Sequence, residues 1–199
     1  MTLDKNWHYQ PDTRLKVFRH FNDFFYYGGF AESFEKQNKR EWLTSLYQKI
    51  LMGDIVERNK VRNPLVSPLT EQQTIMKRYF ADNGILNNFL FQGETKLLEN
   101  MVAVHLNKLY HNTKEELRLF YYNKGVEVDF CVPESNLAIQ VSFKIDDADT
   151  YDREVGGLVK FLKTFKDYRG VIVTWDTEKS IQEDGITIDV VPVWKWLLI

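Results

Sequence analysis

Five side chains between residues 99 and 144 are of the types that handle phosphate chemistry: Glu99, Asp129, Gln140, Ser142 and Lys144. Their spacing suggests a shared surface. Val126–Val132 alternates, with Val126, Val128, Phe130 and Val132 facing one way and Glu127, Asp129 and Cys131 the other. Pro133-Glu134-Ser135-Asn136 reads as a hairpin turn, and Leu137–Ile145 alternates again, placing Gln140, Ser142 and Lys144 on one face. A short turn pairs such strands antiparallel, so Asp129 and Gln140 are expected as neighbours, with Glu99 above them if its helix packs there. Two carboxylates can hold a hard divalent cation such as Mg2+, which activates water and stabilises charge developing on a phosphate. Ser142, two residues beyond Gln140, carries no charge. Gln140 adds no negative charge, and Lys144 lies one residue pair further on, about 6–7 Å along a strand. Asp146, Asp147, Asp149 and Asp152 follow, a field that repels a phosphate backbone. These residues predict a degenerate site that does not cleave. An active Mg2+-dependent nuclease is the alternative, and an ordinary hairpin with solvated polar residues is the plain reading.

The elements that would position these groups follow from periodicity. Leu97, Leu98, Met101, Val102, His105, Leu106 and Leu109 make one stripe, predicting a helix from Glu94 to about Tyr110. Leu117–Tyr122 reads as a strand ended by Asn123-Lys124-Gly125. A helix is predicted from about Asp152 to Tyr168, with Asp149 or Thr150 as cap. Val171–Trp175 is nearly all apolar, as in a sheet covered on both faces, and a last strand runs about Ile186–Val191 into an aromatic tail that docks as a helical turn. The order is α-β-β-β-α-β plus one more strand, which makes the expected fold α/β (α+β), a sandwich around a mixed sheet.

Before this region the chain reads as helical. Val17, Phe21, Phe24 and Phe25 predict a helix over Arg14–Tyr27 that Gly28-Gly29 stops. Trp42, Leu43, Leu46, Tyr47, Ile50, Leu51 and Ile55 predict a long amphipathic helix from Ser33 to Asn59, with a break allowed near Gly53. Residues 71–80 suggest a short helix, and Gly84 a turn. Pro64 and Pro68 oppose a continuing helix, so the expected division is 1–70 and 71–199.

Composition narrows the function classes. The sequence has 199 residues, 44% of them apolar and 27% charged, which is ordinary globular composition. One cysteine, Cys131, permits no internal disulfide. Its place in a strand suggests apolar filling rather than a nucleophile. No apolar leader and no membrane-length apolar run is present, so a cytoplasmic protein without membrane attachment is expected. Residues 1–70 carry net charge +3 and residues 71–199 net charge −5, whereas a nucleic-acid binder needs a basic face. His8, His20, His105 and His111 show no ligand spacing, and His105 falls on an apolar stripe as a semi-buried residue. Gly28-Gly29 is a helix stop rather than a phosphate loop, and Gly156-Gly157 suggests close packing. Phe120, Tyr121 and Tyr122 have the chemistry to stack bases but are expected in the core.

A helix carboxylate, a strand carboxylate, and an acid or amide shortly before a lysine is the layout of the PD-(D/E)XK nuclease superfamily. Glu99, Val128-Asp129-Phe130 and Gln140-Val141-Ser142 resemble it, except that the layout has a water-positioning lysine two residues after the acid or amide and here that position holds Ser142. Phe21-x-x-Phe24-x-Tyr26-Tyr27-Gly28-Gly29-Phe30-Ala31-Glu32, with Trp42-Leu43 leading to Asp54-Ile55, resembles the start of the uncharacterised domain C-terminal to the ATPase core in archaeal-type AAA ATPases. Lys77 to Leu86 looks like that domain's link, and Tyr121 to Phe130, Ile139 to Ser142 and Trp194 to Leu198 resemble its restriction-endonuclease-like module. The resemblance implies a restriction-endonuclease-like core behind a helical N-terminal segment, with Glu99 and Asp129 as candidate metal ligands. It implies a protein partner such as a AAA ATPase, and only weakly nucleic acid. No G-x-x-x-x-G-K-[ST] occurs in the sequence, and the Asp54-Ile55 and Tyr79-Phe80 landmarks are too close for a winged helix. Neither ATP binding nor winged-helix DNA reading is therefore carried over.

Overall fold

The computed structural model describes residues 10–50, 77, 79–89, 93–110, 120–123 and 125–198, with backbone alone at 120–123. The chain divides into two compact units, Met1–Gln92 and Gly93–Ile199. The proline-containing stretch 63–70, the predicted helix beyond Ile50 and most of the predicted helix at 71–80 lie outside the described residues.

In the first unit, helix α1 (Pro11–Tyr27) starts with proline in its first turn, where no N–H is missed. It stops at Gly28, whose φ of 76° suits glycine. The long helix predicted from Ser33 is instead a 3-10 turn (Ala31–Glu35) followed by α2 (Lys39–Lys49). The break comes at Asn38, whose side chain accepts from the Glu41 N–H as a cap. Where a turn was expected at Gly84 there is a short helix, α3 (Asn83–Asn87). Asp82 makes it. One carboxylate oxygen accepts from Gly84 and Ile85 N–H and the other from Gly29 N–H at 2.8 Å. Asn83 and Asn87 donate to the Phe25 and Tyr26 carbonyls at 3.1 and 2.9 Å, two of the acceptors a helix end leaves unpaired. The contacts of α3 with α1 and α2 place it in this unit, so the division falls after Gln92 rather than near residue 70.

Gly84 is required by that approach. A Cβ there would sit 2.2 Å from the Tyr27 carbonyl oxygen. Backbone cannot yield as a side chain does, so Gly84→Ala is expected to cost this unit about 2–3 kcal/mol, read as a lower midpoint in urea unfolding.

The second unit runs α4 (Glu94–Tyr110), β1 (Phe120–Asn123), β2 (Glu127–Val132), β3 (Leu137–Val141), α5 (Ala148–Thr164), β4 (Arg169–Thr174), β5 (Lys179–Glu183), β6 (Ile186–Pro192) and α6 (Val193–Trp196). The six strands form one mixed sheet in the order β1-β2-β3-β4-β6-β5. Pairing is antiparallel at β1–β2, β2–β3 and β5–β6, and parallel at β3–β4 and β4–β6. The unit is thus a mixed α+β sandwich. α5 covers one face: Val155, Leu158, Val159 and Leu162 bury against Cys131, Ala138, Ile172, Ile188 and Val190. α4 packs on β3, and α6 on β4 and β6.

Three sequence expectations change here. β5 is an additional strand; only Ile181 of its five residues is buried, so no apolar alternation announces it. α5 begins four residues earlier than predicted because Asp147, not Asp149 or Thr150, is the cap, accepting from Thr150 N–H at 2.8 Å. β3 ends at Val141 rather than near Ile145, because the Ser142 hydroxyl donates to the Lys144 carbonyl at 2.7 Å and turns the chain.

Candidate functional site

An open cleft of about 620 Å³ lies at the end of the β2–β3 pair, between the first turns of α4 and the first half of α5. Its floor is shaped by a register change in β2. Phe120 pairs with Cys131 but Tyr122 with Val128, so β2 carries one residue more than β1 across this interval. Such a bulge re-aims side chains. It breaks the strict alternation expected over Val126–Val132, and Val128 shares the α5-side core with Cys131.

The β2–β3 ladder pairs Phe130 with Ile139 and goes no further toward the cleft. Side chains then replace backbone partners. Asp129 N–H donates to Gln140 Oε1 at 3.2 Å, and Val141 N–H donates to Asp129 Oδ2 at 2.9 Å. Gln140 Nε2 donates to Glu154 Oε2. Arg153 donates to the other Glu154 oxygen through Nε at 3.1 Å and a terminal nitrogen at 2.8 Å. A chain of bonds therefore runs β2–β3–α5, Asp129–Gln140–Glu154–Arg153. Its acidic and amide members are buried, while the Arg153 side chain is 72% exposed at the mouth. Across the cleft Lys96 pairs with buried Glu99 at 2.9 Å. Glu154 holds the Arg153 guanidinium more firmly protonated, first by hydrogen bonding and then by charge. Lys160, Asp152 and Glu127 complete the charged lining.

Of the sequence-derived candidates, Glu99, Asp129 and Gln140 line this one cleft. Ser142 and Lys144 do not. Ser142 is buried with its hydroxyl in its own turn, and Lys144 is exposed beyond the end of β3. Lys144 was expected on the cleft face because β3 was expected to continue. Glu154 and Arg153 went unnoticed in the sequence. Glu154 lies four residues before Leu158 and eight before Leu162, so a carboxylate falling on the apolar stripe of α5 was the available signal.

Each buried carboxylate of the cleft has a protein partner. Asp129 is held by a backbone N–H, Glu99 by Lys96, and Glu154 by an amide and a guanidinium. Among the described residues no group of three or more His, Cys, Asp or Glu side chains is placed to hold a metal ion. The geometry supports electrostatic cross-linking of β2, β3 and α5 beneath a rim of mixed charge, with Lys96, Arg153 and Lys160 beside Glu127 and Asp152.

Cys131 sits opposite Ala138 in the core, and burial raises its thiol to about 11. The thiolate is the reactive form. Native protein is expected to resist a thiol reagent at pH 8 and to react once urea opens this unit, by absorbance of the released chromophore.

The unit is therefore a mixed α+β domain with an internal polar network at one sheet end. The chain belongs to the family of the domain of unknown function DUF4143, which matches residues 94–196, the first residue of α4 to the last of α6. No curated protein and no solved structure matches it. Among the described residues no helix is long and apolar enough to cross a membrane.

Proposed function

We propose that residues 94–196 are a restriction-endonuclease-like module that has lost cleavage and serves as an interaction module associated with a AAA ATPase. The observation that carries the loss of cleavage is the state of Gln140. Its oxygen accepts from Asp129 N–H and its nitrogen donates to Glu154, so both ends of the side chain are held inside the protein's own network. The ammonium that such chemistry needs is missing at Ser142, and Lys144 lies outside the cleft. The element order, a helix, three antiparallel strands, a helix and a parallel strand, supports the nuclease-like ancestry. DUF4143 is commonly found at the C-termini of AAA ATPases, which supports the association. Nucleic acid is the weaker partner, given the acidic balance of the module.

A cleavage assay with Mg2+ and with Mn2+ on linear, nicked and single-stranded DNA tests this reading. Wild type and Asp129→Ala are expected to be equally inactive. Cleavage by wild type that Asp129→Ala abolishes would replace it with the metal-dependent nuclease using Glu99, Asp129 and Gln140. Capture from a host lysate is expected to retain a P-loop ATPase, and its absence counts against the docking role.

A further inference from the structure

The second unit buries a pair of nitrogen atoms on residues that do not line the cleft. Trp196 on α6 is 6% exposed, and its ring meets the His105 imidazole of α4 edge to face, with centroids 6.4 Å apart and planes at 67°. His105 Nε2 and Trp196 Nε1 are both buried, and neither has a hydrogen-bond partner. The indole nitrogen can only donate, while the bare nitrogen of a neutral imidazole can accept. A neutral His105 with its proton on Nδ1 therefore leaves one acceptor and one donor unpaired. A protonated His105 places two donors and a charge together without an acceptor.

The surrounding charges give the imidazolium no relief. Lys108 stands one turn along α4. The single ionisable side chain of α6, Lys195, is bonded to Glu178. β3, which packs on α4, carries no ionisable residue, and of the strands beneath α6, Arg169 of β4 and Asp189 of β6 are exposed to solvent. α6 itself is a single turn, too short to hold its helix without packing.

We propose that His105 and Trp196 form a protonation-sensitive latch for α6: the neutral imidazole seats the indole and holds the C-terminal turn on the sheet, and protonation releases α6 while the sheet stays folded. Burial, and then Lys108, keep the imidazole below its ordinary pKa in the closed form. The open form titrates near the usual value of about 6.5. The latch is therefore fully shut above that pH and weakens as pH falls from there toward the depressed closed-state value. One linked proton limits the change to about tenfold per pH unit.

An NMR titration of the full chain from pH 8 to pH 5 tests this. His105 is expected to titrate below 6.5, with the Trp196 indole N–H, assigned by Trp196→Phe, moving over the same range. Amide protection factors over residues 193–198 should fall by up to about tenfold per pH unit, while those of β3 and β4 hold. His105→Phe, a buried ring that cannot titrate, should leave the indole and the protection factors flat; His105→Gln serves if that variant folds poorly. An indole shift that persists in these variants would overturn the latch. So would His105 titration without any change at Trp196, or loss of β3 and β4 protection together with α6.

Discussion

Gln140→Leu is expected to destabilise the second unit by about 3 kcal/mol, because it strips partners from two buried groups at once. Asp129 N–H loses its acceptor and the Glu154 carboxylate loses its amide donor. Glu154 is buried, so the lost bond is not restored by water, and a bond to a charged group is worth more than a neutral one. Urea unfolding followed through the reactivity of Cys131 reads this unit alone, since the chain has no other cysteine. The midpoint should fall with the slope unchanged. Adding Glu154→Leu removes the stranded carboxylate and releases Arg153, already largely exposed, into solvent. The double variant is therefore expected to be more stable than the sum of the singles predicts, by about 1–2 kcal/mol. Strict additivity would mean that the amide and the carboxylate do not interact, and the cross-link between β3 and α5 would have to be abandoned.

Leu158→Ala should cost about 2–5 kcal/mol, the range for emptying a fully buried leucine site. Leu158 has no exposed surface and lies among Cys131, Ala138, Ile172 and Ile188 under α5. The neighbourhood cannot close over the gap easily. Gly170 faces it from β4, and a Cβ there would stand 3.2 Å from the Leu158 Cδ2 and 2.6 Å from the Leu162 Cδ1. That crowding gives the test a second arm: Gly170→Ala should be less damaging in the Leu158→Ala background than alone, because the vacated space receives part of the new methyl. The loss should be read by the same thiol-labelling midpoint. A cost below about 1 kcal/mol would mean that α5 does not carry the core of this unit.

Much of the second unit was legible from residue order. The helix expected over Glu94–Tyr110 is found with those ends, since a 3.6-residue stripe of apolar side chains is a local property. The turn at Pro133–Asn136 and the neighbouring strands follow from alternation and from Asn136, which takes the left-handed conformation asparagine tolerates. Alternation also made Asp129 and Gln140 neighbours, and they share a hydrogen bond. It failed within the bulge of β2, where one extra residue shifts the face, and past Val141, where a serine hydroxyl ends the strand. In the first unit Asp82 and Gly84 looked like a turn, and only the approach of α1 shows that Asp82 caps a helix and binds Gly29 as well.

The sequence by itself determined the helices, most strand positions and the absence of a lysine after Gln140, because these depend on neighbours along the chain. Tertiary structure decided which groups the buried carboxylates would meet. Glu154 arrives from a helix fourteen residues beyond Gln140 and Lys96 from one that precedes the sheet. Whether a carboxylate becomes a ligand or the anchor of a guanidinium depends on what charge folding brings within a few ångströms, and Coulombic attraction between such groups is a property of distance in space.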